Sequence, residues 1–122
     1  MSLGATTVPP LNIPESLSTV NVRIIDTTSR LENLPSKSFV KPTYKSFETL
    51  SIPSYAFLIE HPNLKRKVVW DLGIREDWEK LAPTIVNRVK QGGWKLDIER
   101  GVGEILKANS VDLKGIEAII WR

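Results

Sequence analysis

The sequence predicts an α/β domain: a small sheet with helix packed on one face. Three stretches predict it. Ser54 to Leu72 holds two β-rich runs joined by a short Pro, Asn and charged segment, the pattern of a hairpin. Asp97 to Leu106 carries apolar residues at helical spacing behind a capping aspartate. Gly115 to Arg122 (GIEAIIWR) is a short apolar run entered from a turn, the pattern of a strand buried on both faces.

The elements follow in order. Residues 1–19 contain Pro9, Pro10 and Pro14 among small polar residues, a composition that favours disorder. Val20 to Thr27 (VNVRIIDT) sets Val20, Val22 and Ile24 on one face, as a strand does. Residues 28–53 are rich in Ser, Lys, Thr and Pro, with single apolar anchors such as Leu31, Leu34 and Leu50. They read as a long irregular connection, and connections of that length are often functional. Ser54 to Glu60 is a strand, His61 to Arg66 a turn, and Lys67 to Leu72 (KVVWDL) a second strand that Gly73 breaks.

IREDWEKL, residues 74–81, is compatible with a helical turn. Pro83 to Gln91 reads as a helix, with proline in its first turn and Gly92-Gly93 ending it. Beyond Asp97, residues Ile98, Val102, Ile105 and Leu106 fall at i, i+4, i+7 and i+8, one apolar stripe. Gly101 and Gly103 weaken that helix by roughly 1 kcal/mol each relative to alanine. Asn109-Ser110 closes it, Asp112 to Gly115 turns the chain, and the terminal strand follows. The helix stripe should cover a sheet face that includes Ile116 to Trp121. Residues 20–122 then form a partial domain, half of a layered α/β unit. Its sheet stays open on at least one side, and an open apolar edge invites pairing.

Composition narrows the function. The 122 residues suffice for one modest domain. A net charge of +3 comes from 17 basic and 14 acidic residues, and the densest basic run is Lys65-Arg66-Lys67. That is no basic stripe, so no nucleic-acid partner is expected. The chain has no cysteine, which excludes disulfides and thiolate metal sites and suits a reducing compartment. Its single histidine, His61, cannot make a polyhistidine site. MSLGATTVPP lacks the charged and apolar regions of a secretory signal, and no apolar stretch reaches the length of a membrane span. The expected location is cytoplasmic, with no membrane partner.

Three segments resemble a known family. SYAFLIEHPNLKRKVVWDLG resembles the hairpin that opens metallo-β-lactamase-fold hydrolases, whose second strand ends in Asp-x-Gly, here Asp71-Leu72-Gly73. IERGVGEILKANSVDLKGIEAIIW resembles the helix and strand that follow. In the family that strand delivers a His-x-His-x-Asp-His metal motif directly after its last apolar residues. VRIIDTTSRLENLPSKSFVKP resembles the first strand and irregular segment of the lactonase-like branch, which opens acyl-homoserine and other lactone rings. The resemblance runs from about Val20 to Trp121.

The resemblance implies the N-terminal half of an αββα sandwich. For a full-length member it implies zinc, a small-molecule substrate, and hydrolysis of a lactone or related cyclic ester or amide. Where the family turns into its first histidine ligands, this chain has Arg122 and ends. A hydrolytic zinc site needs several imidazoles or carboxylates and one open position for water. With one imidazole, this chain offers no catalytic, cofactor-binding or metal-ligating residue of its own, and it is expected to be inactive. The alternative is a non-catalytic module that completes its open sheet with a partner, for instance a second copy.

The residues singled out by these patterns each have a plain and a sharp reading. His61 reads as a surface turn histidine. Asp71 is either a turn former bonding nearby backbone N–H groups or, by the resemblance, a carboxylate that braces the metal-bearing loop, with Gly73 beside it. Gly101-Val102-Gly103 reads as close packing or as a plain weak helix rather than a phosphate loop. Glu76, Asp77 and Glu79 with Arg75 and Lys80 read as a solvated face. Tyr44, Phe47 and Tyr55 are expected in the core, with the edge of a substrate cleft as the alternative, and the four tryptophans are expected in the core or half-buried.

Overall fold

A computed structural model describes residues 7–121. Residues 7–20 form no helix or strand, and the rest of the expected disordered segment lies outside the described residues. The elements are β1 (Asn21–Pro35), β2 (Thr49–His61), β3 (Arg66–Trp70), α1 (Pro83–Gln91), β4 (Lys95–Asp97), α2 (Val102–Ala108) and β5 (Ile116–Ile120). Short 3-10 turns sit at Ser36–Ser38, Trp78–Lys80 and Leu113–Gly115. The five strands form one mixed sheet in the order β4-β1-β2-β3-β5.

The hairpin forms as its sequence dictates. β2 and β3 pair antiparallel from Phe57 opposite Trp70 to His61 opposite Arg66. Lys65 closes the turn with φ of 51° and donates its N–H to the Pro62 carbonyl. β5 lies parallel to β3. A parallel neighbour needs a long crossover, and α1, β4 and α2 make up the chain between them.

Two expectations are corrected here. The irregular stretch is not residues 28–53 but only 36–48. β1 runs on to Pro35 and β2 begins at Thr49, still paired from Pro35–Thr49 up to Asn21–Glu60. The alternation was hidden because β1 is interrupted twice, between Asp26 and Arg30 and between Leu31 and Leu34. The first sets Thr27, Thr28 and Ser29 against Ser54 and puts polar side chains at the buried positions; the second sets Glu32 and Asn33 against Ser51, a one-residue bulge that shifts the period of two. Thr28 (φ 58°) and Asn33 (φ 61°) lie in these interruptions. The second correction is β4. Asp97 does not cap a helix; it ends a three-residue strand paired with Arg30–Glu32. One apolar residue, Leu96, between two charges gives no period to read. The helix starts later, at Val102 behind Gly101; it keeps Val102, Ile105 and Leu106 of the predicted stripe, with Val102 and Leu106 buried, and leaves Ile98 before it.

The core lies on one side of the sheet. Ile25, Ala56, Leu58 and Val69 pack against Val102, Leu106 and Val111, with Ile105, Leu113 and Ile116 around them. The register places two apolar rows on the opposite face. One is Ile24, Phe57, Trp70 and Ile120; the other is Val22, Ile59, Val68 and Ala118. Ile24 is 69% exposed, so no described element covers these rows. β5 is therefore not buried on both faces as its composition suggested. It is one of the two edge strands, opposite β4, and Ile119 is 54% exposed.

Glu60 sits beside Arg23 and Lys67 at the far end of the hairpin. Partial burial pushes its carboxyl up, but hydrogen bonds from Arg23 and Lys67 outweigh this and hold it below its ordinary range. The Arg30 guanidinium and the Thr28 N–H do the same for Asp26, and Arg66 does so for Glu117. A carboxyl held low in the fold stabilises it above the unfolded-state pKa and loses that contribution as pH falls. Urea midpoints should therefore drop modestly between pH 7 and pH 3, the carboxylate range. The effect is small because these pairs face solvent. An unchanged midpoint would show that the pairs contribute nothing.

Candidate functional site

β3 and β5 run in the same direction, so their C-terminal ends arrive together. The Asp71 N–H donates to the Ile120 carbonyl at 2.8 Å, which ties the residue after β3 to the end of β5. Asp71 has φ of 65°. Its Oδ1 accepts from the Leu72 N–H at 2.6 Å and the Gly73 N–H at 3.0 Å. This is the turn-forming geometry that aspartate tolerates with a left-handed backbone.

Gly73 is fixed by space as well as by backbone. It has φ of 63°, and a Cβ there would stand 2.7 Å from the Cβ and Oγ1 of Thr27. Thr27 is buried, and its hydroxyl donates to the Ser54 carbonyl at 2.7 Å. The turn after β3 thus rests directly on β1, and through Thr27 on β2.

Beside this turn opens a cavity of about 690 Å³ lined by Leu72, Ile74, Leu81, Val102 and Trp121 among others. Its wall is mostly apolar. Glu76 accepts from the Gly101 N–H at 2.6 Å across it. Arg75 pairs with Asp77, and its guanidinium holds the Asp77 carboxyl below the ordinary range. These acids are held by cations and backbone amides, consistent with a solvated structural role.

His61 lies at the other end of the hairpin, where Nδ1 accepts from the Leu64 N–H at 3.3 Å. The length of β3, roughly 15 Å, separates it from Asp71. Among the described residues, no three His, Cys, Asp or Glu side chains converge on a point. Zinc, which the resemblance implies, does not fit the donors assembled here. The structure thus unites Asp71, Gly73 and the end of β5, and leaves His61 apart.

The aromatic expectations need correction. Tyr44 is 67% exposed, Phe47 is exposed, and Tyr55 lies on the uncovered sheet face. Trp70 and Trp121 are exposed, whereas Trp78 and Trp94 are half-buried. Sequence alternation marks apolar faces but not whether anything packs on them. Gly101 lies just before α2 and Gly103 inside it; a Cβ would stand 3.5 Å from Glu76 Oε1 at the first and 3.7 Å from Leu113 Cδ1 at the second, so close packing requires neither glycine.

Sequence reading missed the Thr27-Thr28-Ser29 triplet. All three hydroxyls bond to backbone distant in the chain. Consecutive hydroxyl residues inside a strand were the only local signal.

Asp71 gives a direct test of its turn role. Asp71→Asn should keep the acceptor and the left-handed preference and leave stability near that of the parent. Asp71→Ala should lose both and cost about 1–2 kcal/mol in urea unfolding. Equal costs for the two would show that the carboxylate charge, not the turn, is what matters.

Comparison with known proteins gives relatives along nearly the whole chain. It is 52% identical over 117 residues to a gamma-lactamase, FDB1, of Fusarium pseudograminearum, covering 93% of this chain and 28% of that protein. It is 39% identical over 120 residues to a protein of Penicillium roqueforti named cytochrome P450 monooxygenase mpaDE, covering 94% of this chain and 14% of that one. It is 45% identical over 82 residues to the metallo-hydrolase mfmC of Annulohypoxylon moriforme, covering 67% and 21%. The chain spans less than a third of the length of the curated relatives it matches. No family model matches, and no solved structure matches significantly. No helix among the described residues is long and apolar enough to cross a membrane. The chain is similar along most of its length to proteins named gamma-lactamase and metallo-hydrolase, which supports the resemblance of its sequence to the metallo-β-lactamase-fold, lactonase-like family.

Proposed function

We propose that this chain is the front α/β layer of a zinc-dependent hydrolase that opens a lactone or a related cyclic ester or amide. One observation carries the reading: the parallel β3 and β5 end side by side, joined by the Asp71 N–H and Ile120 carbonyl. A metal motif following β5 would emerge against the Asp71-Leu72-Gly73 turn, where Asp71 would brace it. The uncovered rows of Ile24, Phe57, Trp70 and Ile120 are the face on which a second sheet of an αββα sandwich would pack, about 10 Å away. The names gamma-lactamase and metallo-hydrolase among the relatives support the chemistry. The chain spans only 14% of the protein named cytochrome P450 monooxygenase, so that name does not give the chemistry of this segment.

In this reading the chain supplies the scaffold and the bracing turn, and alone it is inactive. Purified chain mixed with zinc and a γ-lactone or γ-lactam should give no saturable hydrolysis. Turnover that depends on zinc and saturates with substrate would overturn the proposal.

A second reading is a non-catalytic module that completes its sheet with a partner, in the simplest case a second copy added at β5. The exposed edge strand and the uncovered apolar rows favour it. Sedimentation at low concentration should then give a folded dimer that Ile119→Lys converts to monomer. A monomer or open-ended aggregate in the parent would remove this reading.

A further inference from the structure

The strained point of β1 lies beside the turn after β3. Thr28 has φ of 58°, a conformation that a β-branched residue adopts only under constraint. Such outliers persist where surrounding bonds over-determine them, and they cluster at functional sites. Here the bonds are visible. The Thr28 N–H donates to Asp26 Oδ1 at 2.9 Å. The Thr28 hydroxyl accepts from the Glu99 N–H at 3.1 Å and the Arg100 N–H at 3.0 Å, and donates to the Arg100 carbonyl at 3.2 Å.

Its neighbours reach the other way. Ser29 is fully buried, and its Oγ accepts from the Ile74 N–H at 3.3 Å. Thr27 seats Gly73. Three successive residues therefore hold two loops, 71–77 and 98–101. Those loops wall the cavity next to the ends of β3 and β5, through Gly73, Ile74 and Glu76 on one side and Gly101 on the other.

We infer that the Thr27–Ser29 bulge is the positioning element of the site at the strand ends: its hydroxyls set both flanking loops from one rigid point on β1. The inference rests on the proposed reading for what the loops serve, since that reading puts the metal-bearing segment between them. The bulge explains why a strand would carry three hydroxyl residues in succession and keep one of them strained. A sheet without it would pair more regularly with β2 and leave the two loops tied to each other through Glu76 and Gly101 but not to β1.

Amide hydrogen exchange on the 122-residue chain tests it, with far-UV circular dichroism to confirm the fold of each variant. Thr28→Ala should lower protection of the Glu99 and Arg100 amides by roughly five- to tenfold, the effect of losing a hydrogen bond. Ser29→Ala should do the same at Ile74. The Leu58, Ile59 and Val69 amides should keep parent protection in both variants, and Thr28→Ser should restore Glu99 and Arg100. Unchanged loop amides would overturn the inference. So would a loosening of core amides in step with the loops, because the hydroxyls would then be general stabilisers. Zinc takes no part in this experiment, so a failure of the hydrolase reading and a failure of the bulge are told apart.

Discussion

Leu58→Ala is expected to remove the cooperative fold of this chain. Leu58 is 2% exposed at the centre of β2, opposite Arg23 on β1 and Val69 on β3. It packs in the cluster that joins the sheet to α2. Truncating a buried leucine costs about 2–5 kcal/mol through lost transfer energy and the cavity left behind. A domain of this size holds at best 5–15 kcal/mol, and this one leaves a whole sheet face uncovered, so its reserve lies at the low end. Ile24→Ala is the matched control, on the same sheet but 69% exposed; it should cost about 0.5 kcal/mol or less. Urea unfolding followed by circular dichroism checks both. A Leu58→Ala transition as steep and as late as the parent's would mean that the sheet–helix core is not what stabilises the chain.

Gly73→Ala carries the second-largest expected effect. Two penalties add at this position. Left-handed backbone costs a non-glycine residue roughly 1–2 kcal/mol. The new Cβ would also meet Thr27 at 2.7 Å, and Thr27 is buried and cannot swing away. Overpacking of this kind costs roughly 1–3 kcal/mol. The two can be separated. Thr27→Gly removes the atoms that clash, so in the double variant the steric part should vanish and the conformational part remain. A double-mutant cycle should therefore show coupling in urea unfolding. Strict additivity would mean that the turn shifts away from β1 and that Thr27 does not seat it.

Much of this was written in local sequence, and what was not has physical reasons. Pro83 and Gly92-Gly93 bound α1 because their effects are local to the backbone. Val102, Ile105 and Leu106 of the predicted stripe survived because a helix face depends on spacing alone, whereas Ile98 precedes the helix. Asp71 and Gly73 stood out because aspartate and glycine are the residues a left-handed turn admits. β1 beyond Thr27 was illegible because its buried positions Thr27 and Ser29 are polar and the one-residue irregularity before Leu34 then shifts the alternation. β4 was illegible because it forms only by pairing with Arg30–Glu32, far away in the chain. Thr28 and Ser29 act on residues 72 and 45 positions away, and no periodicity reports that. The exposure of Ile119 and Trp70 was missed because apolar composition says what a strand could bury, not what is present to bury it.

In the proposed reading this chain builds the frame of a metal site at the ends of β3 and β5 without holding the metal itself. Isothermal titration of zinc into the folded, purified chain tests it most directly. The account predicts no stoichiometric binding, only weak heat that Asp71→Asn and a His61→Ala variant leave unchanged. One equivalent of zinc bound tightly, and lost on substitution of Asp71 or His61, would contradict it.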